Sequence, residues 1–164
     1  MLSLWRGSSS ESWFSFDKLS KYRKIKNPEW KAKKARAGVQ QFYLFGVDVG
    51  RLSDRTEVCI FRVNIIDGIY YATLVNIVTL GLTPEDKQFS VQARDLKELI
   101  MKYNPTEVVI DCNGLGISMA DEMIKTHIGK NGEILPAYGF FNNDDYRKIQ
   151  PKEASLILYS MKAN

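Results

Sequence analysis

Apolar positions along the chain change their spacing at residue 41, and from there a sequence of elements can be read. Phe42 to Asp48 (F-Y-L-F-G-V-D) is a near-continuous apolar run, the pattern of a strand buried on both faces. Thr56 to Ile66 and Ile69 to Leu80 are rich in β-branched residues, and Asp67-Gly68 between them is a strong hairpin signal. Gly81 and Thr83-Pro84 break this pattern. Phe89, Ala93, Leu96, Ile100 and Tyr103 then recur at steps of three and four, which predicts an amphipathic helix that Asn104-Pro105 stops. Glu107 to Asp111 is a fourth strand, and the helix before it allows a crossover that lays it parallel to the first. Further on, Gly116, Met119, Ala120, Met123 and His127 can line a second helix, and Ile134 to Phe140 reads as a fifth strand. Asn142 to Asp145 reads as a polar loop, and Lys152 to Lys162, with Ala154, Ile157, Leu158 and Met161 on one face, as a third helix. The expected class is α/β, a mixed five-stranded sheet flanked by helices.

Charge divides the chain at the same place. Of 164 residues, 45% are apolar and 26% charged, ordinary values for a globular protein, and the length suits one domain with an appendage. The net charge of +4 combines +7 over residues 1–40 with −3 over residues 41–164. A basic tract from Lys18 to Arg36, interleaved with Tyr22 and Trp30, fits contact with a phosphate backbone and equally a solvated linker. Leu4, Trp5, Trp13, Phe14 and Phe16 are too many for a free tail, and suggest a piece of a neighbouring domain or a strap packed on this one. Cys59 and Cys112 form no C-x-x-C pair and read as reduced thiols. No apolar run approaches the roughly 18 residues that cross a bilayer, and the first residues lack a secretory apolar region, so a soluble intracellular protein is expected.

Two acids carry the candidate chemistry. Asp48 closes the first strand and Asp111 the fourth, each followed by glycine within three residues (D-V-G-R and D-C-N-G). Taken singly, each is an ordinary turn. In an α/β sheet with those strands parallel, both acids come to the carboxyl ends, where ligands bind. Paired carboxylates repel unless a divalent cation neutralises them, and a hard, incompletely coordinated site suits Mg2+ or Mn2+. Such a pair is the basis of two-metal phosphodiester hydrolysis. Arg51 and Arg55 either meet phosphate beside the metal or solvate a loop, while Lys33 and Lys34 represent the basic tract as nucleic-acid contacts. His127 lies late on its helix, where a histidine is more often structural than catalytic.

At these residues a resemblance enters. F-G-V-D-V-G-R-L-S-D-R-T-E-V-C-I-F followed by E-V-V-I-D-C-N-G-L-G-I-S-M-A-D-E-M resembles the nuclease domain of the large terminase subunit of tailed bacteriophages, over about residues 42–140. The resemblance implies a ribonuclease H-like fold and an endonuclease that cuts concatemeric double-stranded viral DNA during head packaging. It also implies Asp48 and Asp111 as the first two metal-binding acids. For the full-length protein it implies the portal and the small terminase subunit as partners, in the cytoplasm of an infected bacterial host. The amino-terminal S-S-S-E-S-W-F-S-F-D-K-L-S-K-Y-R-K-I resembles the segment joining the packaging ATPase to the nuclease. Residues 1–40 are thus expected to be a basic linker after an ATPase domain, and residues 41–164 a nuclease domain incomplete at its carboxyl end, since the family's third metal-binding acid falls further along. No G-x-x-x-x-G-K-[ST] phosphate loop is present. Two other classes fit less of the pattern: a fragment of an actin-like sugar kinase, which also opens on G-x-D-x-G, and a non-catalytic DNA-binding packaging module.

Overall fold

β1 (Gln40–Asp48), β2 (Thr56–Ile66) and β3 (Ile69–Leu80) form an antiparallel meander, as their β-branched and aromatic content predicts. Asp67 and Gly68 both take positive φ (52° and 75°), the backbone a two-residue hairpin turn requires. In the computed structural model, residues 20–23, 25–50 and 54–161 are described. After the meander, α1 (Phe89–Tyr103) crosses over and delivers β4 (Glu107–Asp111) parallel to β1, with Val47 level with Ile110. Asn104 ends α1 in the left-handed conformation, its N–H donating to the Ile100 carbonyl.

The second half departs from the sequence expectation. α2 (Gly116–Met123) stops before His127, which lies in β5 (His127–Ile128) and pairs with β6 (Ile134–Leu135) in a separate two-stranded ribbon. The expected fifth strand therefore splits, and only β7 (Tyr138–Phe140) joins the main sheet. The polar loop at 142–145 instead begins α3 (Asp144–Ile149), because Asn143 Oδ1 accepts from the backbone N–H groups of Asp145 and Tyr146 at 3.2 and 3.3 Å. The expected third helix is a strand, β8 (Ser155–Met161), parallel to both β4 and β7. Its apolar residues satisfy helical spacing, but Leu158 and Ser160 alternate into the core and the open edge of β4 takes the backbone hydrogen bonds. Neighbouring structure overrides local pattern here. The sheet thus has six strands, not five, in the order β3-β2-β1-β4-β8-β7.

α1, α2 and Tyr146 of α3 share one core with Tyr43, Phe45, Val47, Val58, Ile60, Val108, Ile110 and Leu158. All of these strand residues point to the same face. The expectation that β1 is buried on both faces is therefore corrected. Among the described residues no helix covers the second face, where Phe42, Leu44 and Cys59 are half-buried and Ile77 is 55% exposed.

Part of the basic tract is fixed to this body. The Glu29 N–H donates to the Val75 carbonyl (3.0 Å), where a bulge in β3 leaves Val75 outside the β2 register, and the Ala32 N–H donates to Lys102 (3.1 Å). The Glu29 carboxylate, 3% exposed, accepts from Arg62 Nη1 at 2.5 Å and the Tyr43 hydroxyl at 3.1 Å and pairs with Lys33 Nζ at 3.1 Å. Its carbonyl accepts from Asn76 Nδ2 and the Tyr103 hydroxyl.

Lys97 on α1 is wholly buried, its ammonium donating to the Lys125 carbonyl and lying 5.9 Å from the centre of the Tyr138 ring. Burial pulls its pKa down to about 8 from 10.5, with the Glu122 carboxylate opposing. Between those values the unfolded chain holds a proton that the folded chain has released, so this residue makes stability rise with pH and withdraws that gain as pH falls through about 8. In urea melts, wild type is expected to gain on the order of 2 kcal/mol over Lys97→Met from pH 7.5 to about 9.5. A constant difference between the two proteins across that window rules this out.

Candidate functional site

Parallel register brings the two acids together. Val47 and Ile110 are level, so Asp48 and Asp111 occupy the next position of each strand, about 5 Å apart in backbone, with side chains on the face away from the helices. β1 and β4 both end here because glycines permit sharp exits. A Cβ on Gly50 would lie 2.5 Å from the Arg55 carbonyl oxygen, and one on Gly116 only 1.7 Å from the Asp111 carbonyl oxygen. The loop after Asp48 closes through buried Thr56, whose hydroxyl accepts from the Gly50 N–H (3.0 Å) and donates to Gln92 Oε1 of α1 (2.5 Å).

The two carboxylates differ in their partners. Asp48 is exposed and makes no hydrogen bond or ion pair with the described residues. Asp111 is half-buried, and its Oδ1 accepts from the Asn113 N–H (3.0 Å) and Asn113 Nδ2 (2.7 Å), an Asx turn that orients the carboxylate and leaves Oδ2 open. Two carboxylates with free oxygens fit one hydrated magnesium, which keeps several waters and needs only one or two protein carboxylates. Among the described residues no group of three or more His, Cys, Asp or Glu could hold a metal ion.

A third acid nearby escapes the strand-end pattern. Glu57 lies opposite Asp48 in the antiparallel register and on the same face, with both carboxylate oxygens 2.9 Å from the Thr79 hydroxyl. Its position follows only from pairing, since in sequence it opens a strand. The field of these acids reaches Cys59, two residues along β2. Burial first, then Glu57 and Asp48, raise its thiol pKa above the ordinary value.

The other sequence candidates are dispersed. Arg55 stands exposed beside Thr56 at the acid end, and Arg51 lies outside the described residues. Lys33 and Lys34 belong to the opposite end of the sheet: Gln41 Nε2 donates to the Lys33 carbonyl at 2.7 Å, seven residues before Asp48, or roughly 23 Å along the strand. His127 lies beyond the far end of α2, with Nε2 3.1 Å from the Glu122 carbonyl oxygen, and burial lowers its pKa. Asp121 accepts the Tyr146 hydroxyl proton at 2.8 Å beside a cavity of about 280 Å³. That cavity, lined by Cys112, Ile117 and Tyr146, lies on the helix-bearing side at the carboxyl end of β4, where Cys112 directly follows Asp111.

No helix of the described residues is long and apolar enough to cross a membrane. Comparison with protein-family models, with curated proteins and with solved structures returned no match.

Proposed function

We propose that the chain carries the nuclease centre of a phage-type large terminase: a ribonuclease H-like domain that hydrolyses phosphodiester bonds of double-stranded DNA with Mg2+ or Mn2+. The observation that carries this reading is the adjacency of Asp48 and Asp111 at the carboxyl ends of neighbouring parallel strands. The strand order supports it too. A three-stranded meander followed by β4 and β8, both parallel to β1, is the arrangement expected of a ribonuclease H-like sheet.

A bound divalent ion would polarise a phosphate and activate water. The chain's own residues have separable parts in this reading. Asp48, exposed and unpaired among the described residues, offers its oxygens directly, whereas Asp111 is oriented by Asn113 before any ion arrives. Arg55 supplies a cation at the same end for substrate phosphate. Among the described residues no helix covers that sheet face, which leaves room for a duplex to approach the acids.

Manganese binding followed by electron paramagnetic resonance, with nicking of supercoiled plasmid in parallel, tests the proposal. The wild type is expected to bind Mn2+, and Asp48→Asn or Asp111→Asn to weaken binding by about tenfold or more and abolish nicking. Each is also expected to keep an unchanged far-UV dichroism spectrum. Equal manganese affinity in wild type and the double Asn variant sinks the reading.

A further inference from the structure

At the end of the sheet remote from the acids, the basic strap and the strand ends border a half-open cavity of about 650 Å³. Among the described residues its lining includes Lys26, Lys33, Lys34, Arg36 and Arg62 against a single acid, Glu29. That carboxylate is consumed by Arg62 and Lys33, and among the described residues no acid pairs with Lys26, Lys34 or Arg36. Asn27, Gln41 and Asn64 add amide groups, and Ile25, Val39 and Ile66 an apolar margin. The volume is in the range of ligand pockets.

The backbone that carries Lys33 and Lys34 is held in place. Besides the two strap hydrogen bonds to Val75 and Lys102, the Lys33 N–H donates to the Tyr43 hydroxyl (2.9 Å) and its carbonyl accepts from Gln41 (2.7 Å), so Lys33 and Lys34 leave from a pinned backbone. Arg62 lines the cavity with its Nε buried and without a hydrogen-bond partner among the described residues. Buried donors are rarely left so. Like-charged side chains converging on a concavity repel one another unless an anion joins them.

We propose that this cavity is a binding site for phosphate esters bearing several negative charges, separate from the acid pair. Arg62 is level with buried Tyr43 in the β1–β2 register and so stands on the helix-bearing face, whereas Asp48 and Asp111 occupy the other face and the other end. The two sites therefore bind independently, and this one needs no divalent ion. The shared chemistry is clustered phosphate, supplied either by a free polyphosphate ligand or by a nucleic-acid backbone.

Two probes in EDTA separate these sources: calorimetric titration with inorganic tripolyphosphate, and fluorescence anisotropy of a short DNA duplex with and without tripolyphosphate as competitor. The wild type is expected to bind at least one probe, and Lys34→Ala/Arg36→Ala to bind it about tenfold more weakly. Both residues are exposed, so the variant's urea midpoint is expected to match wild type. Asp48→Asn, outside this cavity, is expected to bind tripolyphosphate like wild type, which keeps this result distinct from the nuclease test. Displacement of duplex by tripolyphosphate assigns the site to a nucleic-acid backbone, and tripolyphosphate binding without duplex binding assigns it to a free ligand. Absence of binding to both probes, or equal affinity in the double variant, overturns the proposal.

Discussion

Glu29→Ala is expected to lower the unfolding free energy by about 3–5 kcal/mol, the range for removing one partner of a buried ion pair. The loss has three sources. Arg62, whose Nε already lacks a partner among the described residues, is stripped of its carboxylate as well, and the Tyr43 hydroxyl loses its acceptor in the core. The third source is the seam between strap and sheet, because the Glu29 backbone bonds to Val75, Asn76 and Tyr103 depend on the residue staying seated. Lys33 adds little, since its side chain is 59% exposed and solvent screens the pair. Urea unfolding measures the change. Glu29→Gln, which still accepts from Tyr43, is expected to lose less. A loss under about 1 kcal/mol for the alanine variant would mean the strap is not part of the cooperative fold.

A second large effect is expected at Gly116. In a helix an alanine is ordinarily better than glycine by about 1 kcal/mol, yet here the added methyl meets the Asp111 carbonyl oxygen at 1.7 Å and its carbon at 2.7 Å. Both are backbone atoms at the end of β4, so no side-chain rotation relieves the clash. Gly116→Ala is expected to cost about 1–3 kcal/mol and to displace Asp111, weakening manganese binding along with stability. Gly114→Ala is the control. Its φ of +51° strains an alanine, but no atom lies within 4 Å of the added methyl, so a cost of about 1 kcal/mol without displacement of Asp111 is expected. Comparable melting temperatures for Gly116→Ala and wild type would refute the close approach of α2 to β4.

The elements that could be read directly are those whose evidence is local and long. β2 and β3 run for 11 and 12 residues around an Asp-Gly turn, and α1 repeats its apolar positions over 15. Beyond Asn113 the pieces are short. β5 and β6 have two residues each and β7 three, too few for any period to show, and β8 carries apolar spacing that suits a helix as well as a strand. Glu29 illustrates a different limit: one acid in a run of lysines reads as a solvated charge, and only its neighbours from β1, β2, β3 and α1 make it a buried anchor.

The amino-acid pattern alone shows that a meander, a helix and an acid-tipped strand follow one another, because backbone preference and apolar period are properties of neighbouring residues. It also singled out Asp48 and Asp111. Strand pairing in three dimensions was needed to set these acids side by side, to bring Glu57 onto their face, and to place the lysines of the strap along a cavity on the opposite face at the opposite end. Register, facing and distance across the sheet depend on which strand edges pair, and that choice is made by packing among residues far apart in the chain.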